Sequence, residues 1–182
     1  MATRLPENIQ FDLWVERDRF FDESSRTSGD QRPRLVVLMG APAVGKTTLR
    51  KTRYATGYVV IDAAEIFLNL SRGGHYPFPA AFEEPLNLIG GEVAKRAVRQ
   101  FRHIVLELIG TEFEPIKALL DPMYALGYEI DVQLITCDFP ETVRRNASRG
   151  PDCISAHYAE RFQRAWVTTA ANEALALIAE LD

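Results

Sequence analysis

Cysteine is scarce in this 182-residue chain, which carries only Cys137 and Cys153. No Cys-x-x-Cys pair occurs and His157 is the one histidine near them. Neither a disulfide framework nor a zinc site is indicated, and both cysteines read as reduced thiols. Long apolar runs are missing too. Stretches such as "LVVLM" at 35–39 fall far short of the roughly 20 residues that span a bilayer, and the opening "MATRLPENIQ" has no signal-peptide apolar core. The expectation is a cytoplasmic protein with no membrane contact. Positive charge is not in excess either: 21 Lys and Arg against 25 Asp and Glu give a formal charge of −4. That balance exerts no global pull toward nucleic acid or anionic lipid. Internal repeats and low-complexity tracts are absent. What is there is the 47% hydrophobic and 25% charged content of an ordinary globular chain, of a length that suits a single domain over 1–182.

Periodicity divides that domain. Ile9, Leu13, Phe20 and Phe21 recur among charges at helical spacing and predict an amphipathic helix over 7–23. "DESSRTSGDQRP", 22–33, reads as a polar linker, so that 1–33 forms an N-terminal helix and linker before a core over 34–150. From Arg34 onward, β-branched runs at 35–39, 57–62, 103–108 and 128–136 alternate with longer helical segments. This is the βαβ pattern of a doubly wound, mostly parallel sheet flanked by helices. Segment 79–101 has one apolar face (Leu86, Ile89, Val93, Val98) interrupted by Pro85 and Gly90-Gly91, and predicts one broken helix or two. A further helix over 114–127 stops at Gly127, and a closing helix spans 155–182 with Tyr158, Phe162 and Trp166 as a core stripe.

The most specific signal is "GAPAVGKT", Gly40 to Thr47, which satisfies G-x-x-x-x-G-K-[ST] between an apolar strand and a helical sequence. The loop Gly40, Ala41, Pro42, Ala43, Val44, Gly45, Lys46, Thr47 and Thr48 is the candidate nucleotide-binding segment. Its glycines let consecutive backbone N–H groups converge on phosphate oxygens at the positive end of a helix. Lys46 is then placed for the β- and γ-phosphates and Thr47 for Mg²⁺. ATP, ahead of GTP, and Mg²⁺ are the expected cofactors.

The loop does not say how the nucleotide is used. A GTPase switch needs DxxG and NKxD, and neither occurs. An ATPase motor carries an apolar strand ending in Asp-Glu, whereas "HIVLELIG" offers the single Glu107. A small phosphotransferase needs a carboxylate for the acceptor's proton and arginines to neutralise the moving phosphoryl group. Asp62, at the end of "YVVID", is a candidate for the first role and equally an N-cap for the helix after it. Glu65 reads as a favourable charge in the first turn of that helix. Glu107 ends an apolar strand beside the loop strand, where a carboxylate needs a partner such as metal-bound water. It joins Thr47 as a candidate metal ligand. Arg145, Arg149 and Arg161 bracket a segment over 150–162 built like a lid that closes over a triphosphate.

Taken in order, "GAPAVGKTTLR", "YVVIDAAEIF", "GGHYPF", Glu92, "HIVLELIGT", "GYEIDVQLIT" and the arginine-bearing lid resemble the zeta-toxin-like P-loop kinases. These belong to a branch of small-molecule kinases that also holds chloramphenicol phosphotransferases and gluconate kinases. The resemblance runs from Arg34 to Trp166. It implies transfer of the γ-phosphate of ATP to a hydroxyl of a small acceptor, UDP-N-acetylglucosamine in the zeta toxins. It also implies Glu92 in the acceptor pocket, Arg145, Arg149 or Arg161 on the phosphoryl group, and a protein antitoxin beside the first helix. One position departs from the pattern. The family's proton-accepting acid lies two places beyond Asp62, and this chain has Ala64 there. Either Asp62 is the base, as in the chloramphenicol-phosphotransferase branch, or the chain is a variant, natural or engineered, without its catalytic acid. In the second case it is a nucleotide-binding module without turnover.

Overall fold

The computed structural model describes residues 10–29, 31–71, 82–110 and 112–148, together with 172–173, 175–176 and 179. Four strands, β1 (Arg34–Met39), β2 (Val59–Ile61), β3 (Ile104–Leu108) and β4 (Glu129–Leu134), form one parallel sheet in the order β2-β3-β1-β4. The helices are α1 (Leu13–Arg19), α2 (Lys46–Arg53), α3 (Ala63–Ser71), α4 (Glu83–Arg99), α5 (Phe113–Ala125) and α6 (Phe139–Ala147). The architecture is the expected α/β one. Four strands are present among the described residues, matching the four β-branched runs of the sequence.

Strand alternation sorts side chains onto the two faces of the sheet. Leu35, Val37 and Met39 of β1 join a large core with Ile66 and Phe67 of α3, Ile89 and Val93 of α4, and Leu120 of α5. Val36 and Leu38 turn to the other face, where with Val105 they meet Leu49 of α2 and Tyr54, which caps its carboxyl end. Burial on both faces explains why β1 reads as an unbroken apolar run.

Several expectations change in detail. The N-terminal helix is shorter than 7–23, because Asp12 caps it by accepting from the amides of Trp14 at 2.8 Å and Val15 at 3.2 Å. The linker over 22–33 is anchored at its start: Asp22 accepts from Gly57 N at 2.8 Å, and Ser25 is buried. Segment 83–99 is one unbroken helix. Pro85 lies in its first turn, where the missing N–H has no partner to lose. Gly90 runs against β2 and α3, where a Cβ would stand 3.7 Å from Ile66 Cδ1 and 3.9 Å from Ile61 Cγ2. Gly127 ends α5 region as predicted, at φ +83°. The lid over 150–162 and most of the closing helix lie outside the described residues, and no helix among those described is long and apolar enough to cross a membrane.

Candidate active site

The site begins where β1 hands over to α2. Gly40 stands where no side chain fits, since a Cβ would lie 2.4 Å from the Ile135 carbonyl oxygen and 2.9 Å from Val44 Cγ2. The loop then turns through two left-handed residues, Ala43 at φ +66° and Gly45 at φ +109°. Pro42, Ala43 and Val44 are buried beneath it, and Thr48 is exposed. Gly45 is the N-cap of α2 and brings no capping side chain to its first turn. Uncapped amides at the positive end of a helix are the usual setting for a phosphate. Lys46 Nζ donates to the carbonyls of Gly40 at 2.7 Å and Ala41 at 3.0 Å, and so lies along the loop.

The carboxylates come from the neighbouring strands. β2 and β3 pair with Ile61 opposite Leu106, so one step further Asp62 lies beside Glu107. Both follow the alternation that puts Val60 and Val105 on the α2 face. Thr47 Oγ1 donates to Glu107 Oε2 at 2.9 Å. Arg50, one turn along α2 from Thr47, donates from Nε to Glu107 Oε1 at 2.6 Å and from Nη2 to Glu65 at 2.6 Å and Asp62 Oδ2 at 3.5 Å. Asp62 Oδ1 accepts from Ala64 N at 2.9 Å, so the N-cap role is also met.

Charges packed this closely shift one another. Burial, and then the neighbouring charge of Glu107, push the Asp62 carboxyl up to about 6, against the Ala64 N–H and Arg50, which favour its ionised form. Burial opposes the charge on Arg50, but its hydrogen bonds to Glu107 and Glu65 outweigh that and hold the guanidinium above its ordinary value. A carboxyl that titrates near 6 at the end of a strand beside a phosphate loop suits a general base working at neutral pH.

The structure thus brings together Thr47, Asp62 and Glu107, with Ala64 supplying only its amide. Glu92 is on α4, where a hydrogen bond from Lys95 at 2.7 Å holds its carboxyl below the usual range. Arg145 and Arg144 share Glu141 on α6, each at 2.7 Å. Arg149 and Arg161 lie outside the described residues. Arg50 and Glu65 also belong to this cluster, although in the sequence Glu65 reads as a helix-dipole charge and Arg50 has no role of its own. A signal was present: Arg50 shares a helical face with Thr47, and that face must pack on the sheet.

Among the described residues no group of three or more His, Cys, Asp or Glu side chains is disposed to hold a metal ion alone. Thr47 and Glu107 nonetheless supply hard oxygen atoms beside the phosphate loop. Magnesium keeps several waters and takes its remaining ligands from one or two side chains and the substrate phosphates. These residues fit such an ion when it arrives with a nucleotide.

No protein-family model matches the chain, and no curated protein does. Solved structures do. A structure from the PezAT chromosomal toxin-antitoxin system of Streptococcus pneumoniae aligns at TM-score 0.54 and 14% identity, over 67% of this chain and 53% of that one. The AvrRxo1-ORF1:-ORF2 complex with ATP aligns at TM-score 0.62 and 16% identity, over 87% and 52%. The Pnkp1/Rnl/Hen1 RNA repair complex aligns at TM-score 0.54 and 13% identity, over 86% and 48%. The chain spans about half the length of the solved chains it matches. The likeness is one of fold, and it is the P-loop α/β fold expected from the sequence.

Proposed function

We propose that this chain is an ATP- and Mg²⁺-dependent phosphotransferase that moves the γ-phosphate to a hydroxyl of a small molecule, a nucleotide-sugar such as UDP-N-acetylglucosamine being first among the acceptors. One observation carries the reading: Asp62 and Glu107 stand side by side at the strand ends, joined through Arg50 and Thr47 to the phosphate loop. Open α/β sheets bind their ligands at that edge.

In this reading the acceptor oxygen attacks the γ-phosphorus, the bond from that phosphorus to the β–γ bridging oxygen breaks, and ADP leaves. Asp62 takes the acceptor's proton. With its carboxyl near 6 it is ionised at neutral pH and still basic enough to be useful. Lys46 would turn from the loop carbonyls to the β- and γ-phosphates, and Thr47 would hold a magnesium ion whose charge would offset theirs. Arg145, Arg149 and Arg161 are the candidates for the charge on the moving phosphoryl group, and Glu92 for the rim of the acceptor pocket. The ATP complex and the toxin-antitoxin system among the fold neighbours are consistent with the nucleotide and with a protein inhibitor as partner.

Ala64 favours a second reading, a nucleotide-binding module without turnover. The two are separated by following γ-phosphate transfer from labelled ATP to nucleotide-sugars, nucleosides, hydroxylated antibiotics and a 5′-hydroxyl oligonucleotide. The chain as it stands is compared with Ala64→Asp and Asp62→Asn. Transfer that Asp62→Asn abolishes assigns the base to Asp62. Transfer by Ala64→Asp alone makes the chain a disabled kinase. ATP binding with no transfer from any of them supports the binding module.

A further inference from the structure

Glu107 is held at both of its oxygens. Arg50 Nε donates to Oε1 at 2.6 Å, and the Thr47 hydroxyl donates to Oε2 at 2.9 Å. A threonine hydroxyl has one proton and two lone pairs. It ligates a cation through a lone pair, so its proton has to be taken up on the side away from the ion. Glu107 accepts that hydrogen bond, which aligns the hydroxyl but leaves the carboxylate in need of its own anchor. The anchor is Arg50, whose side chain is 5% exposed, as is that of Glu107. A guanidinium buried to that degree is held by its acid partners, and the fork fixes their direction as well as their charge.

We propose that Arg50 is a positioning residue: it holds Glu107 so that Glu107 accepts the hydrogen bond of the Thr47 hydroxyl, which leaves the lone pairs of that hydroxyl for the magnesium that would accompany the nucleotide. Glu107 then serves mainly behind the metal ligand, as the carboxylates that orient metal-bound side chains do. The second arm of Arg50, on Glu65 and Asp62, ties the end of β2 to the same point. The inference rests on the nucleotide-binding part of the proposed function and is independent of the acceptor.

The test is ATP affinity by calorimetry, with Mg²⁺ and with EDTA, for the parent, Arg50→Gln, Arg50→Lys, Glu107→Gln and the Arg50→Gln/Glu107→Gln double variant, each first shown to be folded. Arg50→Gln should lower the magnesium enhancement of ATP affinity about tenfold, as loss of an orienting partner does, with metal-free affinity within about threefold. Arg50→Lys should recover part of the enhancement, since it restores charge without the fork. Glu107→Gln should match Arg50→Gln, and the double variant should be no worse than either single one, because the two act in series. A merely structural arginine would lower the melting temperature and leave the enhancement intact, and that result in a folded Arg50→Gln overturns the proposal. If Arg50→Gln does not fold, an unchanged enhancement in Glu107→Gln overturns it equally. If the parent binds ATP without regard to magnesium, both this inference and the proposed function fall. If the parent binds Mg-ATP and transfers phosphate while the variants keep the enhancement, this inference alone falls.

Discussion

Two buried arginines mark the two ends of β3. Arg102 lies just before the amino end and is 1% exposed; Arg50 reaches the carboxyl end and is 4% exposed. Their partners differ in kind. Arg102 donates to the backbone carbonyls of Glu23 at 3.1 Å and Asp22 at 3.4 Å, to Ser25 Oγ at 3.4 Å and to the Gln100 side chain at 3.0 Å. The carboxylate it pairs with among the described residues, Glu23, is largely exposed. Arg50 meets three carboxylates, two of them as buried as itself. Neutral oxygens suffice to satisfy a guanidinium that ties the 22–25 segment to the sheet. A surplus of acids around one guanidinium is costly to bury and is not needed for closure of a fold. Where it stands beside a phosphate loop, the charge is better explained by chemistry.

The contrast is sharpest for Asp62→Asn. Phosphoryl transfer should fall by about 10²–10⁴, the usual loss with a general base, while ATP affinity stays within about threefold. A transfer rate unchanged by this substitution would break the comparison at the carboxyl end. At the amino end, Arg102→Met should lower stability in urea by about 2–4 kcal/mol, because it strands carbonyls that the guanidinium now satisfies. Mg-ATP affinity of the folded variant should be unaltered. A loss of nucleotide affinity there would erase the distinction between the two arginines.

The pH dependence gives a smaller effect with a definite sign. Asp62 titrates at about 6 in the fold against an ordinary 3.8, chiefly because it is buried. The folded protein therefore holds this proton more tightly than the unfolded chain. The group's contribution to stability is present below pH 3.8 and is lost as pH rises through about 6. Asn cannot ionise, so the parent should lose about 1–3 kcal/mol relative to Asp62→Asn between pH 4 and pH 7.5 in urea unfolding. The transfer rate should climb over the same window. A flat difference between the two proteins would mean that Asp62 is not shifted by burial. Smallest is Ala43→Gly: the loop holds Ala43 at φ +66°, and glycine should relieve about 1 kcal/mol of left-handed strain, seen as a modest rise in melting temperature.

Legibility in the sequence followed distance along the chain. The phosphate loop is contiguous, so Gly40 to Thr47 could be read without tertiary contacts, and the strands declared themselves by apolar runs of the right length. Segment 83–99 was harder. Pro85 and Gly90-Gly91 look like breaks until their places, in a first turn and against β2, are seen. The linker over 22–33 gave no hint that Asp22 would reach Gly57. Glu65 could be read only as a helix-dipole charge, because the arginine that claims it lies 15 residues away.

The sequence alone determined the glycine-rich loop, the α/β alternation and the identity of the acids at the ends of β2 and β3. These depend on residue type and local spacing, which short-range sterics and periodicity translate directly. Only the tertiary structure decided that Thr47, Arg50, Asp62 and Glu107 form one unit. Arg50 and Glu107 are 57 residues apart, and their meeting depends on β3 inserting between β1 and β2 in the sheet order. That order is a property of the packed sheet and of no single segment, because each strand pairs according to the apolar surface that all of them bury together.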